Sequence, residues 1–168
     1  MKRIAKFEKV SRQQFAAAWL DTFGTEETVY DEIILPKRAT KGSAGYDFFS
    51  TLDFTLEPGQ TIKIPTGVRA WMEEGWVLKL YPRSGLGFKY RLQMNNTVGI
   101  IDSDYYDSDN EGHIFIKITN DSNEGKTISL KQGEGFAQGI FVEYGITVDD
   151  EAGGVRNGGF GSTTKKGE

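Results

Sequence analysis

Hydrophobic and polar positions alternate most cleanly at His113-Ile114-Phe115-Ile116-Lys117-Ile118-Thr119, where Ile114, Ile116 and Ile118 share one face. A period of two sends successive side chains to opposite faces, so this run predicts a half-buried strand. Shorter runs recur along the chain. Ile33-Ile34-Leu35 stops at Pro36, Thr61-Ile62-Lys63-Ile64 follows the turn Glu57-Pro58-Gly59, and Val68-Arg69-Ala70-Trp71-Met72 leads to Glu73-Glu74-Gly75. Trp76 to Tyr81 ends at Pro82, while Thr127 to Leu130 and Phe136 to Val142 complete the set. Short strands with turn signals between them and no intervening helix predict an all-β sandwich, jelly roll or barrel.

The two ends follow other patterns. Ser11-Arg12-Gln13-Gln14 has the form of a capping box, Phe15, Trp19 and Phe23 recur every four residues, and Gly24 supplies a stop. This predicts a single amphipathic helix, docked on the body or on a neighbouring subunit, within an N-terminal helical extension over residues 1–30. A β domain is expected over 31–148. From Asp149 onward the chain is rich in glycine and poor in apolar side chains, which predicts a flexible C-terminal arm over 149–168. Arg156, Phe160, Ser162 and Thr163 set among those glycines also suit an arm that closes over a phosphate ligand.

Composition narrows the function classes. Twenty Lys+Arg against twenty-four Asp+Glu gives a net charge of −4, which speaks against a broad basic surface for nucleic acid. No run approaches the ~18 apolar residues of a membrane span, and the basic start Met1 to Lys6 is followed by no apolar signal core. A cytoplasmic protein is expected. With no Cys and one His, disulfides, thiolate zinc sites, a Cys nucleophile and any mechanism needing two imidazoles are excluded. The 21 glycines in 168 residues exceed the average share of about 7% and act as punctuation between strands.

Three loops carry candidate chemistry. In Ser43-Ala44-Gly45-Tyr46-Asp47, Gly45 allows close backbone approach and Asp47 offers a hard oxygen to Mg²⁺ or its waters. In Tyr81-Pro82-Arg83-Ser84-Gly85-Leu86-Gly87, the Arg83 fork and the N–H groups around Ser84-Gly85 form a plausible anion site, although the spacing is not that of a P-loop. In Asn95 to Tyr105, two β-branched residues deliver Asp102 into an acidic turn, where it could serve as a general base. Asp102, Asp104, Asp107 and Asp109 alternate, but the loop lacks the Gly and Glu that an EF-hand needs.

In order along the chain, these loops resemble the five motifs of the trimeric dUTPase family. Ala44-Gly45-Tyr46-Asp47 is similar to the first motif, Pro82-Arg83-Ser84-Gly85-Leu86 to the second and Gly99-Ile100-Ile101-Asp102-Ser103-Asp104-Tyr105 to the third. Gln132 to Gln138 is similar to the fourth and Arg156 to Thr163 to the fifth, so the resemblance spans about Asp31 to Thr163. It implies a jelly-roll-like dUTPase β-clip fold, a homotrimer with active sites at subunit interfaces, and hydrolysis of dUTP to dUMP and pyrophosphate with Mg²⁺. It further implies that Asp102 deprotonates the attacking water and that Tyr105 packs on the deoxyribose. Asn96, Gly99 and Ile101 would read uracil through backbone groups, and Arg83, Ser84, Gly85 and Gln138 would hold phosphates. Asp47 would reach Mg²⁺ through water. Phe160 with Gly161 would cover the base, while Arg156, Ser162 and Thr163 reach phosphate oxygens.

Two segments depart from the family pattern: the helix before Tyr30, and the acidic stretch Tyr106 to Gly112. Both leave room for a regulatory protein partner, and so for a rival reading as a nucleotide-controlled protein-binding switch. A second rival, dCTP deaminase of the same fold, needs an added acidic group near the pyrimidine. A carbohydrate-binding module is suggested by Trp71 and Trp76, which flank a turn and fit core or interface packing better. His113 reads as a strand residue with no part in the chemistry.

Overall fold

The computed structural model of the chain describes residues 1–159. Its strands are β1 (Ala5–Lys9), β2 (Tyr46–Phe49), β3 (Phe54–Leu56), β4 (Thr61–Pro65), β5 (Val68–Met72) and β6 (Trp76–Pro82). They continue with β7 (Leu92–Met94), β8 (Gly99–Ile101), β9 (Phe115–Asn120), β10 (Ile128–Leu130) and β11 (Gly135–Glu143). Every pairing is antiparallel: β1 with β5, β10 with β3, a three-stranded sheet β4-β9-β7 and a four-stranded sheet β2-β11-β6-β8. Short strands that exchange partners over long sequence distances are those of a jelly-roll-like all-β fold.

The alternation at 114–118 has the consequence expected of it. Ile114, Ile116 and Ile118 are fully buried and meet Ile64, Leu78, Leu80, Phe48 and Phe136 in one core. Close packing removes side chains where sheets approach: a Cβ on Gly99 would lie 2.9 Å from Leu80 Cβ.

The N-terminal helix forms as α1 (Arg12–Phe23), with Phe15 and Trp19 buried and Phe23 stacked edge-on against Trp19. Only half of the capping box closes. Ser11 Oγ accepts from Gln14 N at 3.1 Å, but the Ser11 N–H goes to Glu111 Oε1 at 2.9 Å and not to Gln14. Gly24 ends the helix in the left-handed region at φ 71°.

The structure also differs from the sequence reading. Ile33-Ile34-Leu35 is not a strand: a short 3-10 helix at Tyr30–Glu32 precedes it, Ile33 alone turns inward, and Pro36 withholds a donor. A second helix, α2 (Ser84–Tyr90), lies between strands despite two glycines, so α1 is not the only helix. Finally, β1 pairs along its whole length with β5, and Phe15 and Trp19 join the common core, so residues 1–30 are built into the β body.

Candidate active site

Strand order places the candidate residues. Asp47 on β2 pairs in register with Gln138 on β11, and Gln138 pairs with Tyr81 on β6, one residue from Pro82 and two from Arg83. The first, second and fourth loops therefore meet at one end of the four-stranded sheet. There the β2–β11 register shifts between Gly135 and Ala137, and Arg83 N donates to Phe136 O at 3.3 Å.

Side chains tie this end together. Arg83 Nε stands 3.7 Å from Asp47 Oδ1, and a Cβ on Gly135 would sit 3.1 Å from Arg83 Nη1, so the guanidinium uses space that a side chain there would take. Gln138 Nε2 donates to Pro82 O at 3.2 Å, while a Cβ on Gly45 would collide with Gln138 Oε1 at 2.7 Å. Arg83, Ser84, Gly85, Leu86, Leu130, Glu134 and Gly135 line a cavity of about 330 Å³. It combines an arginine fork with the first turn of α2, whose leading N–H groups have no intrahelical acceptor. Such a lining suits an anion. Glu134 and Gly135 fall within the fourth motif without a site role in the sequence reading, and Gly135 gains one from the bulge beside Arg83.

Asp102 lies elsewhere. Strand β8 runs antiparallel to β6 with Gly99 opposite Leu80 and Ile101 opposite Leu78, so Asp102 follows toward the start of β6. From Leu78 to Arg83 is five residues, or about 16 Å of strand. Within one chain, Asp102 and the anion cavity thus stand at opposite ends of β6. Asn96 sits in the β7–β8 turn next to Thr97, whose φ is 68°. Ile101 is buried, so it can offer a ligand only backbone groups. Among the described residues, strand β8 pairs only with β6, which leaves its outer edge unused by the sheet. Ile100 is exposed on the same strand.

After β8 a short 3-10 helix (Ser103–Asp107) carries Tyr105, which is buried, and its Oη donates to His113 O at 2.5 Å. Asn110 Nδ2 donates to Tyr105 Oη at 2.9 Å. Burial raises the Tyr105 pKa, a shift opposed by Asn110 and Arg156, so the phenol stays neutral at pH 7. Arg156 bridges two carboxylates: Nη2 reaches Asp102 Oδ2 at 2.6 Å and Nε reaches Asp104 Oδ1 at 2.8 Å. Ser108 Oγ lies 3.5 Å from Gly158 O, which brings the described end of the arm over the Tyr105 loop. Asp104 and Asn110 were missed as neighbours of this site. Asp104 stands in the third motif, where the sequence gives it no role of its own. Residues 149–159 form no helix or strand, and Phe160, Gly161, Ser162 and Thr163 lie outside the described residues.

No group of three acidic or histidine side chains able to cage a metal occurs among the described residues. Asp47 presents a single carboxylate, already beside Arg83. That fits Mg²⁺ carried by phosphates, which keeps several waters and takes one protein oxygen at most through them.

Comparison with known proteins places this geometry. The dUTPase family model matches residues 31–164. The chain is 42% identical over 134 residues to the deoxyuridine 5'-triphosphate nucleotidohydrolase of Lactococcus lactis, covering 78% of this chain and 88% of that protein. It is 42% identical over 146 residues to the corresponding protein of Hahella chejuensis, covering 81% and 90%. The crystal structure of the Streptococcus mutans dUTPase superposes with a TM-score of 0.63 at 35% identity, covering 86% of this chain and 98% of that one. The dUTPase of the Staphylococcus aureus phage phi11, whose structure is described as coordinating a structural Mg(II) ion, shares the fold at 22% identity and a TM-score of 0.63. With the motif residues in register at the sheet ends and most of the chain matched, this chain belongs to the dUTPase family.

Proposed function

We propose that this chain hydrolyses dUTP to dUMP and pyrophosphate, acting as a dUTP diphosphatase in a homotrimer whose active sites are shared between subunits. The observation that carries the shared site is the separation of Asp102 from the anion cavity along β6. An α-phosphorus held by Arg83, Ser84 and Gly85 lies beyond hydrogen-bond reach of a water on the same chain's Asp102. A second copy that brings its β8 edge to that cavity restores the contact. The exposed Ile100 and Phe88 are available to be covered in such an interface.

In this arrangement uracil meets the backbone of Asn96 to Ile101 along the free edge of β8. Edge-on recognition leaves no space for a C5 methyl, and that discriminates against thymine by sterics. The Tyr105 ring, fixed by its hydroxyl to His113 O, packs on the deoxyribose where a 2′-OH would clash. Arg83, Ser84, Gly85 and Gln138 of the neighbouring chain hold the phosphates. Asp102 accepts the proton of a water as its oxygen attacks the α-phosphorus and pyrophosphate departs. Arg156, with Phe160, Ser162 and Thr163 of the arm, closes the site and shields it from other water. Mg²⁺ bound to the triphosphate would neutralise its charge and that of the leaving pyrophosphate. Asp47 would orient that ion's water shell. A cytoplasmic location, expected from the sequence, belongs to the same reading.

The test is pyrophosphate release with Mg²⁺ across dUTP, dCTP, dTTP and UTP. Release confined to dUTP is expected. Ammonia from dCTP, or binding of dUTP without any release, contradicts it.

A further inference from the structure

The N-terminal helix lies before the matched residues 31–164, the acidic stretch after Tyr105 departs from the family pattern within them, and the structure joins the two. Glu111 spends both carboxylate oxygens on one residue: Oε1 accepts from Ser11 N at 2.9 Å and Oε2 from Ser11 Oγ at 2.6 Å. Burial alone would raise the Glu111 pKa, but these two bonds, together with Arg69 and His113, hold the carboxyl below its ordinary range. One turn into α1, the Gln14 amide lies 3.3 Å from His113 Nδ1. The other ring nitrogen of His113 accepts from Gly67 N at 2.9 Å, so a neutral ring carries its proton on Nδ1, the nitrogen that faces Gln14. His113 is fully buried. Its carbonyl is the acceptor of the Tyr105 hydroxyl.

The chain between these anchors is not relaxed. Glu111 and Gly112 adopt φ of 60° and 69° in succession, and a Cβ on Gly112 would lie 2.7 Å from both Tyr105 O and Tyr106 Cα. A glutamate in the left-handed region holds that conformation only when its surroundings fix it. Ser11 supplies one fixing contact, beside the Glu111 N–H on Ser108 O at 2.8 Å and the Gly112 N–H on Asn110 Oδ1 at 3.2 Å. Glu8 of β1 makes a second link by accepting from Tyr106 Oη, while Arg69 stacks 3.5 Å over the Tyr106 ring.

We propose that Ser11 and Glu111 are positioning residues for Tyr105: the cap of α1 pins the Glu111-Gly112 turn, the turn places the His113 carbonyl, and the carbonyl sets the Tyr105 hydroxyl. The N-terminal extension thereby sets selectivity for the deoxy sugar. This rests on the reading of Tyr105 as the residue that packs on deoxyribose.

The test measures kcat and KM for dUTP and UTP in Ser11→Ala, Glu111→Ala, Glu111→Gln and Tyr105→Ala. In Glu111→Ala the ratio of kcat/KM for dUTP over UTP is expected to fall about tenfold, mostly through a lower KM for UTP as the clash with the 2′-OH is relieved. Glu111→Gln, which keeps an acceptor for the Ser11 N–H, recovers most of that loss. Ser11→Ala, a change at an exposed cap, keeps the test open should Glu111→Ala fail to fold, and it also lowers the ratio. Equal losses on both nucleotides, or an unchanged ratio in Ser11→Ala and Glu111→Ala while Tyr105→Ala lowers it, overturn the positioning role alone. An unchanged ratio in Tyr105→Ala overturns the sugar reading, and the positioning role with it.

Discussion

Asparagine at position 102 keeps the shape of the side chain and an oxygen for Arg156, but it cannot take a proton from water. Asp102→Asn is therefore expected to lower turnover by about 10³-fold and to leave Mg²⁺-dUTP binding largely intact, as read by titration calorimetry. Near-normal turnover would remove Asp102 from its proposed role. His113 makes a second residue-scale prediction. Burial lowers its pKa from 6.5 to about 4, with Glu111 opposing the shift. The unfolded chain then takes up the proton first as pH falls, so this contribution is full above pH 6.5 and is lost progressively toward pH 4. The whole span amounts to about 3 kcal/mol. Glu111, also held low, adds in the same direction. Urea midpoints measured from pH 7 to pH 5 should fall, and His113→Gln should flatten that slope. The sequence marked His113 as a strand residue without chemistry, but it lies in the loop before β9, which begins at Phe115. Its contacts with Gln14, Gly67 and Tyr105 could not be read from the sequence, since Gln14 and Gly67 lie 99 and 46 residues away along the chain.

Elements with strong local periodicity were legible and those fixed by distant partners were not. Strand β9 followed from its alternation, and α1 from Phe15, Trp19 and Phe23 with Ser11 and Gly24 as its ends. Strand β8, three residues long, owes its existence to pairing with β6, and β1 owes its own to β5. Gly85 and Gly87 argue locally against α2, yet the helix forms and closes with the Arg91 N–H on Gly87 O. Ile33-Ile34-Leu35 has strand-forming residues but no neighbour with which to build a ladder, and only Lys37 makes an isolated bridge to Asp47. The burial of α1 gives a direct prediction. Phe15 is fully enclosed between Trp19, Tyr30 and His113, so Phe15→Ala should destabilise the fold by about 3–5 kcal/mol in thermal or urea unfolding. A loss under about 1 kcal/mol would mean that the extension is only loosely attached.

At the scale of the whole molecule, the motifs gave an ordered set of candidate residues, but only strand register shows how they divide. Asp47, Arg83 and Gln138 gather at one end of the four-stranded sheet, while Asp102, Tyr105 and Arg156 gather around β8 and the loop after it. Spacing along a chain carries no information on which sheet end a residue reaches. The arm belongs to this scale as well. Deleting Gly153 to Glu168 should abolish catalysis and preserve the oligomer, because none of these residues lies in a strand or helix among those described. Sedimentation of that deletion as a monomer would contradict the proposed assembly. The most direct measurement mixes two inactive proteins, Asp102→Asn and Arg83→Ala, by unfolding and refolding them together at equal concentration before assaying dUTP hydrolysis. With sites shared between neighbouring subunits of a trimer, random assembly gives each interface about a one-in-four chance of holding Asp102 from one chain and Arg83 from the next. Activity near a quarter of the wild-type value is predicted. No recovery above either variant alone would contradict a site built between copies of this chain.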